Sequence, residues 1–179
     1  MKTTAAERQA FLTRTLHERI LILDGGQGTM VQKLGLTEED YRGEYFADRE
    51  RYPRDLKNNN DILALSRPQV FKDIVSAYFA AGSDIATAPT FSSTCIGQHE
   101  FFHIVPPGPH DQEYYEGVLA DEDLKTLVRE MNLASVRVAR EAAEEAEQKY
   151  DRPCLVGGSI GPMAVTASIS PDVNDPGHR

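Results

Sequence analysis

Cysteine, positive charge and long apolar runs are all scarce in this 179-residue sequence, and each scarcity excludes something. Only two cysteines occur, Cys95 and Cys154, and they form no CxxC pair. A zinc ribbon and a dithiol redox motif are therefore excluded. Two thiols so placed read as buried or half-buried free cysteines, and a reducing, cytoplasmic compartment is the natural setting. Lys and Arg number 19 against 28 Asp and Glu, a formal net charge of −9. Binding to a phosphate backbone needs a basic face, so no nucleic acid is expected as a partner. No stretch approaches the ~20 apolar residues of a membrane span, so no membrane partner is expected either. The N-terminus mixes Glu7, Arg8, Arg14, Glu18 and Arg19 with scattered apolar residues and lacks the apolar core of a secretory signal. A short amphipathic helix over about 5–18 is expected there. Internal repeats and low-complexity tracts are absent.

What is present begins with Ile20-Leu21-Ile22-Leu23-Asp24-Gly25-Gly26-Gln27-Gly28. A short aliphatic run ending in a turn signal reads as a buried strand. Gly25, Gly26 and Gly28 permit a sharp turn and leave backbone open to a ligand. Asp24 falls at the carboxyl end of that strand, where ligands bind in parallel α/β folds.

The rest alternates helix and strand. Ser66 as cap, Pro68 in the first turn and Gly82 after the last bracket a second helix. Its apolar stripe is Val70, Phe71, Ile74, Val75 and Tyr78. A strand follows over 84–88. A third helix is expected over about 121–150, with Leu124, Leu127, Val128, Met131 and Val138 on its buried face. Its charged, alanine-rich end over 140–147 reads as a solvated face. A third strand over 154–158 leads to a second glycine-bearing turn. This order implies βαβ units and a parallel sheet. Two long connections, over 25–60 and 91–120, each follow a strand and precede a helix. In a (β/α) barrel these would be loops of the catalytic face. Three strands cannot close a barrel, and the final residues 174–179 read as a loop. The front part of a larger domain is expected.

The chemistry is narrower than the glycine cluster suggests. A dinucleotide fingerprint would need glycine where Val31 stands, and no Gly-Lys-Ser/Thr run occurs. Asp24 either caps its own turn or accepts from a substrate ammonium or hydroxyl. Thr90, Ser92, Ser93 and Thr94 either bind a substrate carboxylate or form turns. His99 and His103 are four apart but lack the glutamate of His-Glu-x-x-His, so no metal site is expected there.

Five segments, in order, resemble one family. Leu23-Asp24-Gly25-Gly26-Gln27-Gly28-Thr29-Met30 is similar to the opening signature of the homocysteine-binding domain of cobalamin-dependent methionine synthases, within the homocysteine S-methyltransferase superfamily. Leu56-Lys57-Asn58-Asn59-Asn60-Asp61 resembles that family's Leu-Lys-Gly-Asn-Asn-Asp segment. Gly82-Ser83-Asp84-Ile85 with Thr90-Phe91-Ser92-Ser93-Thr94 resembles its second strand and turn. Gly157-Gly158-Ser159-Ile160-Gly161-Pro162 and Thr166-Ala167-Ser168-Ile169-Ser170-Pro171-Asp172 resemble its third.

The resemblance implies an α/β fold, an incomplete (β/α)8 TIM barrel of about three βα units, with residues 1–179 forming part of one homocysteine-binding domain. It implies a methyltransferase that passes a methyl group from methylcobalamin, originally from 5-methyltetrahydrofolate, to zinc-activated homocysteine. Zinc would lower the pKa of the homocysteine sulfur. Zinc and cobalamin belong to the complete enzyme, and the partners would be homocysteine and the cobalamin- and folate-binding modules. By the same resemblance Asp24 would take the substrate amino group, Gly25 and Gly26 would offer backbone contact, and Thr90 and Ser93 would line the pocket. The family's zinc-binding cysteines, including a Gly-Gly-Cys-Cys run, have no counterpart here, so no catalytic or metal-binding residue is assigned and the chain alone is expected to be inactive. The family's Glu-Thr-Asn-Thr-Phe is replaced by Thr87-Ala88-Pro89-Thr90-Phe91, and Pro89 removes a backbone donor. The alternatives are a relative using betaine or S-methylmethionine, a non-catalytic half-barrel that pairs to cover its edges, or an unrelated enzyme using Asp24 as general base.

Overall fold

A computed structural model describes residues 4–108 and 110–161. Its elements are α1 (Ala5–Glu18), α2 (Gln27–Gln32), α3 (Glu38–Arg42), a 3₁₀ turn (Asn60–Ile62), α4 (Leu63–Ser66), α5 (Pro68–Ala80), β1 (Ile85–Thr87), α6 (Cys95–Phe102), α7 (Gln112–Ala120), α8 (Glu122–Tyr150) and β2 (Leu155–Gly157). The described chain is mostly helical around a small parallel sheet. Residues 162–179, which include the last resemblance segment and the expected terminal loop, lie outside the described residues.

β1 and β2 pair in parallel, Ala86 opposite Val156. On the other side of β1, Leu23 bridges Ile85, and the Asp24 amide donates to the Ile85 carbonyl at 2.9 Å. The spatial order of the three extended segments follows the chain, as sequential strands usually do. The helix before β1 and the helix before β2 pack along each other and supply the core. From α5, Phe71, Ile74, Val75 and Phe79 are buried; from α8, Leu124, Leu127, Val128, Met131 and Val138 are buried. Each such side chain contributes about 1.5–3 kcal/mol on leaving water.

Three expectations need correction. The run before Asp24 is not a buried strand. Ile20, Ile22 and Leu23 are exposed, and Leu23 alone forms a bridge. Among the described residues that segment has a neighbour only on its β1 side, so aliphatic character has nothing to bury against. Its anchor is electrostatic. Arg19 grips Asp84 through two hydrogen bonds of 2.7 Å, and Asp84 Oδ2 accepts from the Ile22 amide at 2.9 Å. The Arg19 guanidinium holds the Asp84 carboxyl below its ordinary range despite the opposing burial.

Ser66 does not cap α5. It ends α4, where its hydroxyl donates to the Ile62 carbonyl, and Arg67 occupies the cap without a side-chain bond. Pro68 starts α5 as expected, because its missing N–H costs nothing in the first turn. Gly82 follows with φ +107°, a conformation open to glycine.

The alanine-rich end of α8 is not simply a solvated face. Ala142, Ala143 and Ala146 are buried with Val75, Phe79, Ala86 and Cys154. Small side chains let the helix lie close to the sheet. Glu147 turns inward from the same stretch and receives two hydrogen bonds of 3.0 Å from Arg8, which docks α1.

Candidate functional site

The carboxyl ends of the three extended segments open into a cavity of about 480 Å³. Asp24, Thr87 and Ser159 mark those ends, and all three line it. The two long connections supply the walls. Asn58, Asn59, Asn60 and Asp61 come from the first, and Phe91, Ser92 and Phe101 from the second. The mixture of carboxylates, amides and aromatic faces suits a small zwitterion with an apolar end.

Neither connection is a plain loop. Thr37 caps α3 in a reciprocal box with Asp40, and Thr94 caps α6 by accepting from the Gly97 amide. Asp111 and Asp121 cap α7 and α8 in the same manner. Each cap brings a polar stretch to order close to its own sequence.

The five residues expected from the sequence are placed differently from one another. Asp24, Gly25 and Gly26 line the cavity; Thr90 and Ser93 are not among its lining residues. Asp24 is half-buried and well used. Its Oδ2 accepts from the Thr87 amide at 2.9 Å, the Thr87 hydroxyl at 3.0 Å and Gln27 Nε2 at 3.0 Å. It therefore ties the first segment to β1 while lining the cavity. Gly26 has φ −65°, and Gly25 is not among the positive-φ residues, so neither is needed for a left-handed turn. Space is the reason for Gly25. A Cβ there would lie 3.1 Å from the Tyr78 hydroxyl, which donates to the Gly26 carbonyl. The Gly25 and Gly26 amides make no hydrogen bond among the described residues and remain free to donate.

Thr90 and Ser93 brace the wall from behind. The Thr90 hydroxyl donates to the Ser159 carbonyl at 2.8 Å and accepts from the Ser159 amide at 3.0 Å. The Ser93 hydroxyl donates to Asp61 at 3.0 Å. Both side chains are buried.

Four contributors were missed by sequence reasoning as individual residues. Gln27 donates to Asp24 and, at 2.6 Å, to the Thr87 carbonyl. Asn59 and Gln98 form a buried amide pair, with Asn59 Nδ2 donating to Gln98 Oε1 at 2.7 Å. Gln98 also donates to the Ser92 carbonyl at 3.0 Å. Asp61, buried at 5 % exposure, accepts from the Ser92 amide at 2.5 Å. Burial pushes its carboxyl above the ordinary range, opposed only by the Ser92 amide and Ser93 hydroxyl. The sole local signal was the polar run at 58–61 just before an apolar one. Its partners lie some thirty to forty residues away, at Ser92 and Gln98.

Metal chemistry finds no fitting ligand set among the described residues. No group of three His, Cys, Asp or Glu could hold an ion there. Cys95 opens α6 and Cys154 is buried beneath the sheet, so the two thiols sit in separate environments; burial raises the pKa of both. His99 and His103 stack with ring centres 4.6 Å apart, and His103 Nε2 lies 3.0 Å from Asp121. No helix among the described residues is long and apolar enough to cross a membrane.

The family model for homocysteine S-methyltransferases covers residues 21–178, and the chain belongs to that family.

Proposed function

We propose that this chain forms the homocysteine subsite of a cobalamin-dependent methionine synthase, built as the first βα units of an incomplete (β/α)8 barrel. The observation that carries the reading is the placement of Asp24, Gly25 and Gly26 on one cavity at the ends of parallel segments. Family membership supplies the substrate class, since the family transfers methyl groups to homocysteine. The run of five resemblance segments, above all Asn59-Asn60-Asp61 and Ser168-Ile169-Ser170-Pro171-Asp172, favours the cobalamin enzyme over betaine or S-methylmethionine relatives.

In this reading the free amides of Gly25 and Gly26 donate to the substrate carboxylate. Asp24 faces the substrate amino group while Gln27 and Thr87 fix its orientation. Thr90 and Ser93 hold the wall rather than touch the substrate. Phe91 and Phe101 offer aromatic surface to the apolar, sulfur-bearing end. Zinc and cobalamin would act from the complete enzyme; the described residues do not fit a zinc site, and no step through the metal is derived.

The test is calorimetric titration of the purified chain with L-homocysteine. Saturable one-site binding, with a rise in melting temperature at saturating ligand, is expected. The same preparation mixed with methylcobalamin and zinc should yield no methionine. Absence of homocysteine binding would defeat the reading, and methionine formation would defeat the assignment of zinc chemistry to the complete enzyme.

A further inference from the structure

Two carboxylates line the cavity, and the chain spends them differently. Asp24 Oδ2 accepts from the Thr87 amide and Gln27, and the Thr87 hydroxyl shares its one proton between Oδ2 at 3.0 Å and Oδ1 at 3.2 Å. Asp61 has partners on one oxygen only. The Ser92 amide and the Ser93 hydroxyl both donate to Oδ2, and Oδ1 has no hydrogen-bond partner among the described residues. Among the described residues no cationic side chain contributes to its environment. Oδ1 is not among the buried unpartnered atoms, so it is open to the cavity, where a cationic donor would complete the half-satisfied carboxylate. Asp61 is also held in place. Gln98 binds the Ser92 carbonyl and the Asn59 amide, so the turn that grips Asp61 and the residue two before it are linked.

We propose that Asp61 is a substrate-positioning residue whose vacant Oδ1 accepts a hydrogen bond from the ammonium group of the amino-acid substrate. This rests on the homocysteine reading above and adds a second acceptor to that subsite. An ammonium has three N–H donors, more than the nearly saturated Asp24 can take. It also brings the positive charge that the buried carboxylate lacks. No proton is transferred; the ammonium keeps its three hydrogens.

The test compares L-homocysteine with 4-sulfanylbutanoate, which keeps the thiol and carboxylate but has no ammonium. In the wild-type chain homocysteine should bind more tightly. Asp61→Asn should weaken homocysteine by about tenfold or more while leaving 4-sulfanylbutanoate within about twofold. Equal loss for both ligands, or no loss for either, would mean that Asp61 only ties the loops together, and would overturn the proposal while the homocysteine reading stands. Failure of the wild-type chain to bind homocysteine would remove both. Should the variant not fold, the Asp61 carboxyl carbon resonance of the wild-type chain decides. It should move on adding homocysteine and stay on adding 4-sulfanylbutanoate; a signal unmoved by homocysteine overturns the proposal.

Discussion

The connection over 25–62 buries a guanidinium, whereas the connection over 91–121 stacks imidazoles near solvent. Both wall the same cavity. In the first, Arg42 is 1 % exposed and acts as a hub. It donates to the carbonyls of Phe46 at 3.1 Å, Tyr52 at 2.9 Å and Arg54 at 2.5 Å, and to Glu38 at 2.6 Å. Glu38 in turn accepts from the Leu56 and Lys57 amides. Phe46, Leu56 and Ile62 join the main core around this hub. Among the described residues of the second connection only Ser93, Gln98 and Val118 are buried, and Phe91 and Ile104 are exposed. His110 stacks on Tyr114 at 3.9 Å, His99 on His103, and a small cluster of Val118, Leu124 and Val128 pins α7 to α8. A long connection can therefore become core, if a buried donor satisfies its carbonyls, or remain a surface clip held by local contacts.

The contrast is broken most severely at Arg42. Arg42→Ala should cost about 3–5 kcal/mol in urea unfolding, because three carbonyls and Glu38 lose their donor inside the fold. Hydrogen exchange should speed up over 38–58 and stay unchanged over 112–120. A loss below about 1 kcal/mol would show that the first connection does not depend on its hub.

Gly97→Ala probes the second connection at its tightest point. The added Cβ would lie 2.6 Å from the Ser92 carbonyl oxygen and 3.0 Å from the Thr94 hydroxyl. We expect about 1–3 kcal/mol of destabilisation by thermal melting, with weaker homocysteine binding because Ser92 lines the cavity. Unchanged melting would mean that the turn has room to yield.

Asp121→Ala should cost about 1 kcal/mol, the value of an N-cap, since Asp121 accepts from the Leu124 amide at 2.9 Å. It also removes the carboxylate that partly offsets the lowering of the His99 pKa, so the acid sensitivity of the second connection should increase in parallel. A loss in stability without that increase would separate the two roles.

The smallest effect sharpens the comparison by pH. Burial, then His103, holds the His99 pKa below its ordinary 6.5. The unfolded chain then binds the proton more readily than the fold. Stability from this source is complete above pH 6.5 and is lost as pH falls through the lower folded value. Glu38 feels burial most, but the Leu56 and Lys57 amides and Arg42 together win and set its carboxyl below its ordinary 4.5. Its contribution is present above pH 4.5 and is lost as pH falls below it. On acidification, hydrogen exchange should therefore rise first over 95–120 and only later over 38–58. Simultaneous loss would contradict the division.

Much of the architecture was legible because it repeats along the chain. The helices over 5–18, 68–80 and 122–150 follow from amphipathic spacing and punctuation, and the strands at 85–87 and 155–157 fall inside the expected runs. The short helices α2, α3, α6 and α7 were read as loop. Each is nine residues or fewer, too short for periodicity to rise above its surroundings. At the site, Asp24 and its glycines were legible from a strand-end motif. Gln27, Gln98 and Asp61 were not, since what makes them matter is a partner distant along the chain, Thr87, Asn59 and Ser92 respectively.

The sequence by itself determined the order of the three long helices and the strands at 85–87 and 155–157, the turn after Asp24 and, through five ordered segments, membership of the homocysteine S-methyltransferase family. These are properties of neighbours along the chain, where spacing translates directly into a face or a turn. Tertiary structure alone decided that Ile20, Ile22 and Leu23 lie exposed, that Arg42 is buried, that a Cβ on Gly25 would crowd Tyr78, and that Asp61 has an oxygen without a partner among the described residues. Burial and hydrogen-bond saturation depend on which distant groups arrive, and no local pattern encodes that arrival.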